Sequence, residues 1–130
     1  MTTDDLLEAM PFARALGVRI DAATPDEVAG RLEWAPERCT AGGVMHGGAL
    51  MALADSLGAA CAYLNLPADA STSTLNSTTS FFRAVRGGEV RAVARPLHVG
   101  RSTIVVQTDL HDGEGRRIAQ VTQTQAVLSR

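Results

Sequence analysis

The sequence predicts a single α+β domain in which one antiparallel sheet wraps one long central helix. Three observations lead to this prediction. The 130 residues suffice for one domain with a real core but are short for two. The run 49–64 is rich in alanine and leucine and contains no proline, and the chain after residue 70 alternates strand-like segments with glycine-containing turns.

The first half of the chain predicts a helix, a hairpin and a loop that leads into the long helix. Residues 1–16 form an N-terminal helical segment, with Thr3 or Asp4 as its cap and Gly17 at its end. Alternating apolar and polar residues on both sides of Thr24-Pro25-Asp26 indicate two paired strands. The stretch RCTAGGVMHGG shows neither the spacing of apolar residues typical of a helix nor the alternation typical of a strand. It is therefore expected to be a loop before the helix over 49–64.

The second half predicts three or four long antiparallel strands, over 72–85, 89–100, 101–110 and 116–129. Gly87-Gly88 and Asp112-Gly113 supply turn residues between them. Consecutive strands joined in this way suggest a meander. The inner face of such a sheet needs a helix that is hydrophobic nearly all round, and 49–64 provides it.

Composition argues against nucleic acid and membrane partners. The net charge is −2 and charged residues make up 20% of the chain, so no broad basic surface or polybasic anchor is expected. His46 and Asp55 interrupt the weakly polar run 41–64, which argues against a membrane span. The acidic start and the lack of a CxxC pair between Cys39 and Cys61 predict a cytoplasmic protein without a structural metal.

The stretch GGVMHGGALMALADSLGAA carries the candidate chemistry. Gly47 and Gly48 put unobstructed N–H groups at a helix start, where they can bind a carbonyl oxygen or an oxyanion. Asp55 lies nine residues after His46, which on a helix is a rotation of about 180° and a rise of roughly 13 Å. Either one of the two is structural, or two copies of the helix assemble the site between them, and we favour the second interpretation.

Simpler explanations exist for each of these residues. A Gly-Gly pair before a helix is often only a turn, and a histidine beside it is often a cap. An aspartate in an Ala/Leu helix is harder to explain, because burying an unpaired carboxylate costs several kcal/mol and Asp is a poor helix former. Asp55 can also point to solvent.

The same stretch resembles the HGG-containing hot-dog-fold thioesterases, specifically the phenylacetic-acid-degradation (PaaI-like) type of acyl-CoA thioesterase. The segments FFRAVRGG, VGRS and DGEGRRIAQ follow in the order that this family shows, and the resemblance runs from about residue 10 to the end. It implies a hot-dog fold and hydrolysis of an acyl-CoA to a carboxylic acid and free CoA. CoA is then part of the substrate, and no cofactor is expected.

The resemblance also implies roles for individual residues. Asp55 matches the catalytic carboxylate, which acts as a general base or as a nucleophile, and Gly47 matches the amide that polarises the carbonyl in the neighbouring subunit. His46 matches the histidine that orients the thioester, and Thr74 the hydroxyl that assists the aspartate. Thr40 stands where relatives often carry an asparagine, which puts asparagine-dependent positioning in doubt.

For the CoA portion, the resemblance points to Arg101, Ser102 and Thr103 at the VGRS turn, with Arg83 and Arg86 as phosphate partners. Strand-end arginines are otherwise simply solvated charges. The family pairs two chains edge to edge, with two sites at the interface, and such dimers often form tetramers. A dimer is therefore expected here, with further assembly to a tetramer.

Two other functions are compatible with such a fold. Hydratase or dehydratase chemistry on acyl thioesters uses a different loop before the helix, so it is the more distant alternative. A non-catalytic acyl-CoA-binding module is the other alternative, and the presence of Asp55 argues against it.

Overall fold

The computed structural model describes residues 1–129, so residue 130 of the predicted domain lies outside it. One six-stranded antiparallel sheet holds the strands in the order β1-β2-β4-β5-β6-β3. The α+β class and the long central helix are confirmed. The elements are α1 (Thr3–Glu8), α2 (Pro11–Leu16), β1 (Arg19–Thr24), β2 (Glu27–Glu33), α3 (Gly47–Leu64), β3 (Ser71–Phe81), β4 (Glu89–Val99), β5 (Thr103–His111) and β6 (Arg117–Leu128).

The N-terminal segment forms two short helices rather than one. Thr2 and Asp5 make a reciprocal capping box at the start of α1, one residue before the predicted cap. Pro11 is the first residue of α2, a position where its missing N–H costs no helical hydrogen bond. The break therefore falls at Met10-Pro11, and the segment ends at Gly17 as predicted, with a φ of 106°.

The hairpin β1–β2 is confirmed, and the central helix begins two residues earlier than predicted, at Gly47. His46 caps it. Towards the sheet, α3 buries Leu53 and Leu57 completely against inward-facing residues such as Val90 and Val106. Each fully buried side chain of this size contributes about 1.5–3 kcal/mol, so this apolar contact holds the helix on the sheet.

The meander prediction is wrong at its first step. β3 pairs with β6, from Ser71↔Leu128 to Phe81↔Ala119, and lies at the far edge of the sheet from β1. In a meander β3 would pair with β4, but β2 pairs with that edge of β4 instead. The strand ends at Phe81, and residues 82–88 run across the end of the sheet instead of turning tightly.

Two hydrogen bonds hold that crossing segment in place. The Met45 N–H donates to the Val85 carbonyl and the Trp34 N–H donates to the Gly88 carbonyl, both at 2.8 Å. These two hydrogen bonds connect the β3–β4 segment to the loop before α3 and to the end of β2. Gly88 has a positive φ of 71°. The predicted turn at Asp112-Gly113 is present between β5 and β6, where the Gly115 N–H donates to the Asp112 carbonyl and Gly115 has a φ of 80°.

One face of the molecule is left uncovered along α3 and β3. On α3, which is hydrophobic on most of its surface, one side is not buried: Met51 and Tyr63 are 43% and 45% exposed, and Asp55 is exposed between them. On β3, Leu75 is 64% and Phe81 is 50% exposed. β3 is also an edge strand with no partner on its outer side among residues 1–129, so this face has both apolar side chains and free backbone groups.

Length and mean hydropathy alone would let α3 pass for a membrane-crossing helix, and 56% of the residues concerned are buried within the fold. A core helix of a folded domain has the same properties, so this observation does not indicate a membrane span.

Candidate active site

The start of α3 offers one unpaired backbone donor. His46 is the N-cap, and its Nδ1 accepts a hydrogen bond from the Gly48 N–H at 2.8 Å. The prediction that both glycines present free amides is therefore wrong for Gly48. Among residues 1–129, none accepts a hydrogen bond from the Gly47 N–H. Gly47 is thus the donor that a ligand oxygen can use, and the ring proton of a neutral His46 lies on Nε2.

The loop before α3 holds His46 in place. The His46 N–H donates to the Arg38 carbonyl at 2.8 Å, and the Thr40 N–H donates to the Val44 carbonyl at the same distance. Between Thr40 and Val44 the chain turns through Gly42 and Gly43, which both have positive φ. Thr40 and His46 are both exposed.

Asp55 lies in a separate polar cluster, at the margin where α3 faces β3 and β6. Gln123 Nε2, on β6, donates to Asp55 Oδ1 at 3.4 Å. The Thr74 hydroxyl of β3 lies near Asp55 and lowers the pKa of its carboxyl, and Gln125 Nε2 donates to Thr74 Oγ1 at 2.7 Å. The structure therefore brings the predicted pair Asp55 and Thr74 together.

The pKa of Asp55 is raised above its usual value. Partial desolvation between α3 and β6 is the largest cause, and hydrogen bonds from Gln123 and Thr74 oppose it. No cation among residues 1–129 lies within 4.0 Å of this carboxylate. Asp55 is nevertheless exposed in the single chain rather than buried, so a partner that covers it would raise the pKa further.

Within one chain, Asp55 and the donor at Gly47 are separate. They lie eight residues apart on α3, which corresponds to about 12 Å along the axis. Phe81, at the far end of β3 from Thr74, packs beside Gly47, where an added Cβ would approach its ring to 3.2 Å. The chain thus presents two half-sites at the two ends of β3.

The candidate CoA contacts also divide between the two ends. The Arg83 N–H donates to the Ile118 carbonyl, near the start of β6, whereas the Ser102 carbonyl accepts from the Val127 N–H at the end of β6. Nine residues of strand separate these points by roughly 30 Å. Arg101 and Thr103 flank Ser102 at one turn. Arg83 and Arg86 both lie in the crossing segment 82–88, at the other end. All five arginine and hydroxyl side chains at these two turns are reachable by solvent, but one chain does not bring them together.

A cavity of about 220 Å³ lies directly beside the start of α3. Most of the side chains around it are apolar, and they include Phe12, Leu16, Ala49 and Ala52, with His46 at its margin. This space is large enough for a small acyl or aryl group.

Sequence reasoning missed Gln123 and Gln125. Both are buried, at 0% and 1% exposure, on the inward face of β6. The signal was present in QVTQTQAV, where all of residues 122–125 are polar although the strand must bury one face. Two glutamines at inward positions indicate hydrogen bonding inside the fold, but the sequence does not reveal which face of β6 points inward.

The remaining reactive side chains are accounted for by packing. Cys61 is fully buried, and burial raises the pKa of its thiol to about 11. Cys39 is half-buried, and its Sγ contacts the Ala35 carbonyl at 3.3 Å. No group of three or more His, Cys, Asp or Glu side chains among residues 1–129 is arranged to hold a metal ion.

One known protein family matches more than half of this chain. The model of a family described as the thioesterase superfamily matches residues 42–119, which contain the loop before α3, all of α3 and strands β3, β4 and β5. This chain belongs to the thioesterase superfamily. His46, Gly47, Asp55 and Thr74 all lie within the segment that matches the superfamily.

Similar proteins carry thioesterase names. The 1,4-dihydroxy-2-naphthoyl-CoA hydrolase of Escherichia coli is 35% identical over 86 residues, 66% of this chain and 63% of that protein. A proofreading thioesterase of Cronobacter sakazakii is 36% identical over 86 residues, with the same coverage of each chain. The match therefore spans slightly less than two thirds of the length of these superfamily members.

The fold agrees over almost the whole chain. A crystal structure of a mutant thioesterase from Pseudomonas aeruginosa superposes with a TM-score of 0.92 at 27% identity, covering 98% of this chain and 94% of that one. The hot-dog fold implied by the sequence resemblance is thereby confirmed for this member of the thioesterase superfamily.

Proposed function

We propose that this protein hydrolyses acyl-CoA thioesters, as a member of the HGG-containing, phenylacetic-acid-degradation type. The observation that carries the proposal is the pair of half-sites inside the superfamily match: a carboxylate with a raised pKa at Asp55, and an unpaired N–H at Gly47. A carboxylate that takes a proton and a donor that polarises a carbonyl are the two groups that acyl transfer to water requires.

In the proposed reaction, Asp55 takes a proton from a water molecule whose oxygen attacks the thioester carbon. The carbonyl oxygen becomes an oxyanion that accepts a hydrogen bond from the Gly47 N–H. The C–S bond then breaks, and the thiolate leaves with the proton that Asp55 had taken. His46 orients the thioester through its Nε2–H, and the reaction needs no cofactor beyond the CoA carried by the substrate.

A direct attack by Asp55 on the carbonyl is the other route to the same products. It would form a mixed anhydride, and water would then release the acid. In a single turnover in H₂¹⁸O, label in Asp55 demonstrates an anhydride that water opens at its aspartyl carbon. Attack of water on the acyl carbon, of the thioester or of the anhydride, labels only the product, and a burst of CoA release ahead of the acid then identifies the anhydride route.

The two half-sites form complete sites if a second copy pairs antiparallel with β3. A two-fold axis beside this edge strand reverses the partner's α3, so that Asp55 of one chain faces the Gly47 end of the other. It also covers Leu75, Phe81, Met51 and Tyr63, whose exposure is unusual for a monomer. The proposed assembly is therefore a dimer with two equivalent sites, able to associate further into a tetramer.

Mixing two inactive variants tests whether the sites are shared. We expect Asp55→Asn and Gly47→Pro chains to be inactive alone and to recover about a quarter of the native activity when refolded together. Half of the dimers would be mixed, and each mixed dimer would have one intact site. Recovery should be lost on rapid dilution below the dimer dissociation constant, and no recovery in a verified mixed dimer would contradict a shared site.

The same two-fold axis bears on CoA binding. It would bring the Arg83–Arg86 end of one chain towards the Arg101–Thr103 turn of the other, which lie apart in a single chain. We propose that the CoA phosphates bind between them, that Thr40 and Gly48 flank the thioester, and that the cavity beside His46 takes the acyl group. The named activity of the Escherichia coli relative on a naphthoyl-CoA favours an aromatic acyl group.

Activity is expected to fall on the acid side of the pH range. Because the pKa of Asp55 is raised, the ionised base is lost at a higher pH than for an ordinary aspartate, whose pKa is about 3.9. The profile of kcat/KM against pH should decline as the pH falls through this raised value. A profile that is flat down to about pH 4 would argue against a base at Asp55.

The first experiment measures CoA release by thiol detection over short, medium, long and aryl-acetyl CoA thioesters. Turnover that depends on Asp55 would establish the proposed reaction and its acyl class. Tight acyl-CoA binding without any turnover would support the binding-module alternative instead. The free thiols of Cys39 and Cys61 fit a reducing compartment, in line with a proposed cytoplasmic location, and Cys39 must be blocked or subtracted in this assay.

A further inference from the structure

Gln123 and Gln125 are unexpected in the core of this sheet. Both project from β6 towards α3 and are almost completely buried. Val121 occupies the preceding inward position of β6 and is apolar, as the packing requires. A buried amide costs free energy unless it is hydrogen-bonded, so the partners of these two side chains indicate what they do.

The amide of Gln123 has only one favourable orientation. Its Nε2 donates to Asp55 Oδ1 at 3.4 Å, while its Oε1 is buried and without a hydrogen-bond partner. Reversing the amide would turn Oε1 towards the carboxylate and bring two acceptors together. The charge on Asp55 therefore sets the orientation, at the cost of one unsatisfied oxygen.

Gly58 makes this contact possible. A Cβ at residue 58 would lie only 1.8 Å from Gln123 Oε1 and 2.5 Å from its amide carbon. Gly58 is buried on α3, three residues after Asp55. Any larger residue there would displace the Gln123 amide from the carboxylate.

Gln125 orients the second hydrogen-bond donor to Asp55. Its Nε2 donates to Thr74 Oγ1 at 2.7 Å, and its Oε1 lies 3.1 Å from Thr72 Oγ1. Because the Thr74 oxygen accepts from Gln125, its single hydrogen is free to point towards the nearby Asp55, whose pKa it lowers. The opposite amide orientation would take that hydrogen and turn a lone pair towards the carboxylate.

We infer that Gln123 and Gln125 are positioning residues, which fix the Asp55 carboxylate and the Thr74 hydroxyl for the reaction, with Gly58 providing the space. This inference rests on the proposed function for its kinetic consequences. The placement of the carboxylate itself can be measured without any turnover.

The test compares Gln123→Leu, Gly58→Ala and Gln125→Leu with a buried control, Thr108→Val. Thr108 is fully buried and its Oγ1 has no partner, so its replacement removes a core hydroxyl without touching Asp55. The pKa of Asp55 is read from carboxyl ¹³C chemical shifts during a pH titration. Each test variant should raise that pKa: Gln123→Leu and Gly58→Ala remove or displace the Gln123 hydrogen bond to the charged form, and Gln125→Leu releases the Thr74 hydroxyl from its orientation. Thr108→Val should leave the pKa unchanged.

Kinetics on the same variants give the second readout. We expect kcat to fall roughly tenfold to a hundredfold with little change in KM, and the acid limb of the pH profile to move to higher pH. Gly58→Ala is decisive because it keeps both glutamines and Asp55. Folded variants in which the pKa of Asp55 does not change would overturn the inference, whereas a shifted pKa in a protein that hydrolyses no thioester would overturn only the proposed function.

Discussion

Replacing Asp55 with asparagine is expected to lower kcat by about 10²–10⁴-fold while acyl-CoA binding persists. Asparagine keeps the size of the side chain and can still interact with Gln123 and Thr74, but it cannot take a proton from water. The measurement is CoA release at saturating substrate, together with calorimetric titration of a non-hydrolysable acyl-CoA analogue to follow binding.

Asp109→Asn provides the matched control. Asp109 lies on the outer face of β5, where its Oδ1 accepts from Gln120 Nε2 at 3.1 Å, so the same change of atoms occurs away from the candidate site. It should leave kcat within about twofold. A similar loss of kcat in both variants would mean that the Asp55 effect reflects general damage to the protein.

Stability distinguishes a functional from a structural role for Asp55. Because its pKa is raised in the folded chain, the ionised form destabilises the fold, and stability declines as pH rises through that pKa. Asp55→Asn should therefore be no less stable than the native protein at neutral pH, and the difference between them should disappear in acid. Thermal unfolding at several pH values measures this.

Replacing Gly47 with proline is expected to lower kcat by about 10²–10³-fold, the usual effect of losing one oxyanion donor. Proline deletes the N–H that has no acceptor among residues 1–129 and is well tolerated at the first position of a helix. His46, the residue before it, has φ of −59° and ψ of 132°, a conformation that suits a residue preceding proline. The substitution thus removes the donor and preserves the helix start.

Gly47→Ala is the control for the added side chain. Both substitutions introduce a Cβ that approaches Phe81 to 3.2 Å, so both require the same small shift of the ring. Alanine retains the N–H and should keep most of the activity. If the two variants lose equal activity, steric displacement of Phe81 explains the effect and the donor role of Gly47 is wrong.

Local features of the site were predictable from the sequence. The change from loop to helix near His46 follows from glycines before a proline-free run of alanine and leucine, although α3 begins two residues before the predicted start. The separation of Asp55 from Gly47 follows from helix geometry alone. Even here, one detail depends on the folded chain. His46 Nδ1 accepts a hydrogen bond from the Gly48 N–H, which leaves only the Gly47 amide free at the helix start instead of two amides.

Features that depend on which strands pair were not predictable. The strand pattern of β3 contains no information about its partner, and the partner turned out to be β6 rather than β4. The same holds for Gln123 and Gln125, because glutamine and threonine alternate on β6 and give both faces the same polar character. Only the packing of α3 against the sheet determines that the glutamines point inward.

The pairing of β3 with β6 also determines when the active site can form during protein synthesis. Asp55 and Gln123 are 68 residues apart, and Thr74 and Gln125 are 51 apart. The carboxylate therefore acquires its partners only after β6 has been translated and has inserted between β5 and β3. A nascent chain, or one truncated before β6, has a helix with an unassisted Asp55 and no surface on which β3 can pair, so the proposed catalytic site and the proposed dimer edge both depend on the completion of β6.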